Sequence, residues 1–144
     1  MRVLSIAAVA LTVAATTPGV AAQDVAPPEV DERIERICAE AEEQYVAMFG
    51  KPSAEEPLPV VTMYRNVFCP VELEIEAGTP VRWVNVERRT SHSVWFRALG
   101  QPESERLFPE EVVEMTIETP GDHVYLCGPH WETHTMIGRL VVKP

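Results

Sequence analysis

Apolar positions along this chain repeat with two different periods. Between residues 30 and 49, Ile34, Ile37, Cys38, Ala41, Tyr45, Met48 and Phe49 recur at three- and four-residue steps, the spacing of one stripe on a helix. Glu35, Arg36, Glu42 and Glu43 fall off that stripe and face water. Asp31 stands where an N-cap belongs, and acidic residues crowd the first turns. Gly50 and Pro52 end the pattern. From Val60 onward the period is two. Val71, Leu73 and Ile75 alternate with Glu72, Glu74 and Glu76. Beyond Gly78, Val81, Trp83 and Asn85 alternate with Arg82, Val84 and Val86. Further short segments follow at 93–96, 112–117, 123–127 and 137–142, with Thr119-Pro120-Gly121-Asp122 as a turn between two of them. Short strands punctuated this way predict an all-β fold, an antiparallel sandwich or barrel. The helix is an addition that covers one face or end of it. Trp83, Trp95, Met63 and Met115 are expected as packing residues, and His123 as structural or solvated.

The first 22 residues read as an address. Arg2 precedes an apolar run over 3–15, and a small-residue segment ends in Val20-Ala21-Ala22. This is the layout of a secretory signal peptide cleaved after Ala22. The run is too short for a membrane span, which needs about 20 residues. The expected organisation is a signal peptide at 1–22, a lead-in and amphipathic helix at 23–57, and one β domain at 58–144. Pro27-Pro28 keeps the lead-in irregular. The full chain has 12 basic and 22 acidic residues. Loss of Arg2 leaves 11 against 22, a net charge of −11. That balance argues against nucleic acid and anionic membrane surfaces as partners. It suits a partner with a basic docking face. Export, to the periplasm or beyond, places the three cysteines in an oxidising compartment, where one disulfide and one special thiol is the simplest accounting.

The chemistry concentrates in the stretch from Tyr125 to Val142. Cys127, His130 and Met136 fall within ten residues, between two strands. Thiolate and thioether are soft ligands, and imidazole suits copper. One thiolate, two imidazoles and a weak axial thioether make an electron-transfer copper set. The second imidazole must come from elsewhere, and His92, where a loop enters a strand, is the candidate. Zinc held by Cys127, His92 and His130 is chemically allowed, but the methionine has no place in such a site.

Three sets of residues resemble a known family. Phe68-Cys69-Pro70 is followed by Leu73-Glu-Ile-Glu-Ala-Gly-Thr-Pro-Val-Arg-Trp-Val-Asn85. Pro120-Gly121 leads through Tyr125 to Cys127. Cys127-x-x-His130 is followed by Met136-Ile-Gly-Arg-Leu-Val-Val142. Over residues 60–143 this is similar to the cupredoxins, the small blue (type 1) copper proteins of the plastocyanin and pseudoazurin group. The resemblance implies a two-sheet Greek-key β-sandwich with copper at one end, held by His92, Cys127, His130 and Met136. It implies one-electron transport, without enzymatic turnover, between redox proteins such as a cytochrome c or a periplasmic oxidoreductase. His130 beside Trp131 is then the exit for the electron and the docking surface.

The chain departs from the family pattern in three places. Five residues, 131–135, separate His130 from Met136 where four are expected. Ser93 follows His92 where an asparagine often ties the two ligand loops together. The helix is extra. Cys38 on the buried helix face and Cys69 beside Pro70 are not needed by the metal, and a disulfide between them would pin the helix to the sandwich; two separate buried thiols are the rival. Pro129 offers no N–H near the sulfur, which favours a higher potential. Two other functions stay open: a copper-handling protein, and a catalytic or sensing red-type copper site in which His134 replaces Met136.

Overall fold

The computed structural model describes residues 25–144. The signal peptide expected at 1–22 lies outside the described residues. Helix α1 (Glu32–Phe49) comes first, capped by the Asp31 side chain, which accepts the Ile34 N–H at 2.8 Å. Gly50, in the left-handed region, ends it and returns its N–H to the Val46 carbonyl. Seven strands follow: β1 (Val60–Tyr64), β2 (Val67–Cys69), β3 (Glu72–Glu76), β4 (Pro80–Asn85), β5 (Val112–Thr116), β6 (Gly121–Leu126) and β7 (Ile137–Lys143). One turn of helix, α2 (Trp131–His134), stands between β6 and β7. Among the described residues no helix is long and apolar enough to cross a membrane.

The strands form two sheets, β2-β1-β4-β5 and β3-β7-β6. The pairing corrects one expectation. The sheets are mixed: β1 runs parallel to β4, and β3 parallel to β7. Alternation tells which face a residue takes but not which strand lies beside it or in which direction. Here the chain changes sheet between β2 and β3, and again between β3 and β4, so strands close in sequence become parallel partners of distant ones. The segment 93–96, expected as a strand, makes only one isolated bridge, Trp95 with Leu126, and His92 just before it makes another with Leu107.

Between the sheets lies a core of Val61, Met63, Phe68, Val81, Trp83, Phe96, Tyr125, Cys127, Met136 and Leu140, among others. Tyr125 is its hub. It packs edge-on to Phe68 (4.7 Å between centroids) and Trp83 (5.5 Å), and tilted against Phe96 (5.2 Å). Gly138 is required beneath that ring: a Cβ there would lie 2.3 Å from the Tyr125 ring carbon Cζ. Met63 and Met115 pack as expected. Trp95 does not. It is half-buried, donates its indole N–H to the Gln101 carbonyl at 3.1 Å, and takes the Arg97 guanidinium over its ring. Its neighbours Val94 and Phe96 take the inward positions instead.

α1 lies on the outer face of the four-stranded sheet. Ile34, Ile37, Ala41 and Tyr45 pack on Val67, Cys69, Val71, Val84 and Val86. This explains why the outward face turns apolar after Arg82: Trp83 points inward, while Val84 and, just past β4, Val86 meet the helix. A disulfide joins Cys38 to Cys69. Phe49, on the predicted stripe, is 39% exposed and stacks on Tyr45.

Candidate metal centre

Two loops at one end of the sandwich bring the chemistry together. The first leaves β4 at Asn85. This side chain is fully buried and satisfied three ways. Its amide donates to the Thr90 and Leu107 carbonyls, both at 2.8 Å, and its oxygen accepts the Glu87 N–H at 2.9 Å. Asn85 thus holds the loop that delivers His92. The backbone of His92 is clamped to Leu107 by two hydrogen bonds, of 3.1 and 2.8 Å. Its ring is fully buried.

The second loop runs from Cys127 to Met136 and closes on itself. The Cys127 carbonyl accepts the N–H groups of His130 (3.0 Å) and Trp131 (2.9 Å), and the Cys127 N–H donates to the Met136 carbonyl at 3.0 Å. The His130 carbonyl accepts from His134 (3.0 Å) and Met136 (3.3 Å). Residues 131–134 of this loop form α2, and Thr135 in the left-handed region turns the chain into β7.

The result is a convergence of three donors. Cys127 Sγ lies 3.3 Å from His130 Nδ1 and 3.7 Å from His92 Nδ1, and the two Nδ1 atoms are 3.2 Å apart. Cys127 and His92 are buried, and His130 is half-buried. Met136 is fully buried in the same core cluster as Cys127. His134 is not part of the group. It is exposed on α2, its Nδ1 is 2.7 Å from the Thr133 hydroxyl, and its ring meets His130 edge-on at 5.6 Å. Trp131 is half-buried, with the Arg97 guanidinium 4.8 Å over its ring. His123 sits at the start of β6, its Nε2 2.7 Å from the Thr119 carbonyl oxygen.

Burial acts on two of the donors in opposite senses. Burial pushes the Cys127 thiol up, opposed by hydrogen bonds from Ser93 and the His130 backbone and by the Arg106 charge. Burial and the neighbouring His92 push His130 down, so its imidazole is held neutral. Two groups gave no sequence signal. Glu87 reaches His92 Nε2 at 3.5 Å. Burial opposes its charge, but hydrogen bonding from His92 and the Arg65 N–H outweighs burial and holds it below the ordinary carboxylate range. Glu103 accepts the Ser93 hydroxyl at 2.6 Å. Both are single acids in an acid-rich chain, in loops without periodicity.

The fold has counterparts among solved structures. Amicyanin from Paracoccus versutus is 27% identical, with a TM-score of 0.54, over 63% of this chain and 88% of its own. A reduced Cu(I) form of an amicyanin mutant matches equally, at 27% identity and a TM-score of 0.54, over 63% and 89%. The chain has a cupredoxin-like fold. The copper-containing nitrite reductase from Thermus scotoductus is also similar to this cupredoxin-like chain, at 27% identity and a TM-score of 0.54; the match covers 66% of this chain and 24% of that enzyme. No protein-family model matches. In this cupredoxin-like fold, α1 and its disulfide lie on the outer face of the four-stranded sheet, away from the inter-sheet core that carries Cys127 and Met136.

Proposed function

We propose that this protein is an exported one-electron carrier that binds a single copper ion through His92, Cys127 and His130, with Met136 as a weak fourth ligand. The observation that carries the reading is the convergence of one sulfur and two Nδ1 atoms within 4.8 Å of one another. That donor set fits copper better than zinc, because the buried neighbour completing it is a thioether. Bound copper supplies the exchangeable electron, and the chain supplies binding, orientation and electrostatics. Asn85 and Leu107 hold His92, and the carbonyls of Cys127 and His130 hold the second loop. The donors are therefore set before any ion arrives, which keeps rearrangement small when charge changes. Burial of Cys127 and Met136 keeps water from the sulfurs. His130, the one donor of the three that is only half-buried, is the route to a partner.

Met136 is favoured over His134 by its complete burial and by its backbone bonds to Cys127 and His130. The carrier role is supported by the similarity to amicyanin, which is described in reduced and oxidised forms. The similar nitrite reductase motivates a catalytic reading, but this chain spans only a quarter of that enzyme's length, 24%. Export is supported by the N-terminal pattern and by the Cys38–Cys69 disulfide, which suits an oxidising compartment. The partners are redox proteins such as a cytochrome c or a periplasmic oxidoreductase, docking briefly and with salt sensitivity.

The decisive measurement is the visible spectrum of copper-loaded protein. One copper per chain and an intense blue to green absorption are expected. A colourless protein that prefers zinc in equal competition would overturn the reading. His134→Ala should leave the colour and the electron paramagnetic resonance unchanged, while Met136→Leu should shift the potential. Stopped-flow electron exchange with candidate partners across ionic strengths tests the carrier role.

A further inference from the structure

We infer that Glu103 is a positioning residue that sets the hydrogen bonding of the Cys127 sulfur by capturing the Ser93 hydroxyl proton; the inference rests on the copper reading proposed above.

Ser93 is fully buried beside His92, and its hydroxyl has one proton to give. That proton goes to Glu103: the Oγ–Oε1 distance is 2.6 Å, the short separation of a charge-assisted bond. The Ser93 oxygen then acts as an acceptor and takes the Gly128 N–H at 2.9 Å. Ser93 thus ties the His92 loop to the residue after Cys127, as a relay that begins at a carboxylate. The Cys127 sulfur is the other acceptor beside this hydroxyl, and Glu103 competes with it for the one proton.

A second observation places the carboxylate, carried on an exposed side chain, over Gly128. Gly128 does not have a positive φ, so backbone conformation does not require glycine there. A Cβ on Gly128 would lie 2.0 Å from Glu103 Oε1 and 2.6 Å from Oε2. The carboxylate rests on the Gly128 Cα, one residue from the sulfur. Glu103 is carried there by a segment laced to the His92 strand: Ser104 N–H donates to the Val94 carbonyl at 3.0 Å, the Ser104 hydroxyl accepts the Val94 N–H at 2.9 Å, and Leu107 pairs with His92.

Two consequences act in the same direction. A thiolate that receives one hydrogen bond fewer is a stronger electron donor to its metal, and a nearby negative charge favours the more positive oxidation state. Both lower the reduction potential. Glu103 therefore works against Pro129, whose missing N–H raises it.

The test uses the full-length copper-loaded protein, read by voltammetry, visible absorption and electron paramagnetic resonance. Glu103→Ala should raise the potential and move the sulfur-to-copper band to shorter wavelength, as the freed hydroxyl donates to Cys127. Glu103→Gln should give a smaller rise, because its amide oxygen still accepts from Ser93. Gly128→Ala should push the carboxylate off its seat and shift the potential upward with the charge still on the chain. In a Ser93→Ala background, Glu103→Ala should lose most of its effect. If Glu103→Ala and Gly128→Ala bind copper and keep the wild-type potential and band while only stability falls, the contact is structural and the inference fails. A wild-type protein that develops no colour with copper fails the proposed function instead.

Discussion

Where α1 lies on the sheet, the contact is apolar: Ile34, Ile37, Ala41 and Tyr45 press on Val67, Val71, Val84 and Val86, and one disulfide locks the join. Where His92 meets Cys127, the contact is polar and made by loops: Asn85, Ser93, Glu87 and Glu103 direct single hydrogen bonds or close contacts to named atoms. The first region is held by area removed from water and a shortened unfolded-state loop, both insensitive to small displacements. The second depends on the placement of three donor atoms, which a shift of an ångström would spoil. Stability and site chemistry are thus assigned to different parts of the molecule, and substitutions should separate them.

Cys127→Ser should have the largest effect. It removes the thiolate, so the visible charge-transfer absorption is lost completely. The fold should persist, because a hydroxyl of similar size takes the buried position. Loss of colour with a retained far-ultraviolet circular dichroism spectrum is the expected pair of results; an unfolded variant would mean that the two regions are not separable.

The reverse experiment removes the Cys38–Cys69 disulfide with a pair of alanines. The bond closes a loop of 31 residues, for which loop-closure entropy gives about 3–4 kcal/mol. Denaturant unfolding should show a loss of that size, with the visible spectrum of the copper-loaded protein unchanged. A changed spectrum would show that α1 reaches the ligand loops.

Next in size is an alkaline effect confined to the helix face. Tyr45 is buried and donates to Glu56 at 2.8 Å; burial and the Glu56 carboxylate push its phenol up from 10.0 to about 12. A group whose folded pKa is raised contributes stability that is present below its unfolded pKa and lost above the folded one. The contribution should therefore be complete below about pH 10 and fade as pH rises through about 12, a loss on the order of 2 kcal/mol. Unfolding free energies across this window, compared with Tyr45→Phe, read it directly. A Tyr45→Phe variant with the same alkaline decline would place the cause elsewhere.

Asp31→Ala is the smallest change. It removes the N-cap bond to Ile34 and should cost about 1 kcal/mol. The potential should not move.

The same contrast explains what could be read in advance. α1 was legible because one face is buried against one surface, which imposes a stripe with a helical period and leaves a cap at Asp31 and a stop at Gly50. The β-sandwich class followed from the period of two, and the clustered soft donors Cys127, His130 and Met136 from their nearness in sequence. All of these are local: neighbours along the chain are enough to show them. Tertiary structure decided the rest. That β1 and β4 run parallel depends on where the chain crosses between sheets, which alternation does not encode. That Trp95 is only half-buried, with Val94 and Phe96 turned inward beside it, depends on how its short segment meets Leu126. The carboxylate of Glu87 comes to His92, 5 residues away in sequence, and that of Glu103 to Ser93, 10 residues away, through loops whose course is dictated by Asn85, Val94 and Leu107. An acid in a loop has no preferred direction of its own; only the packed backbone around it supplies one.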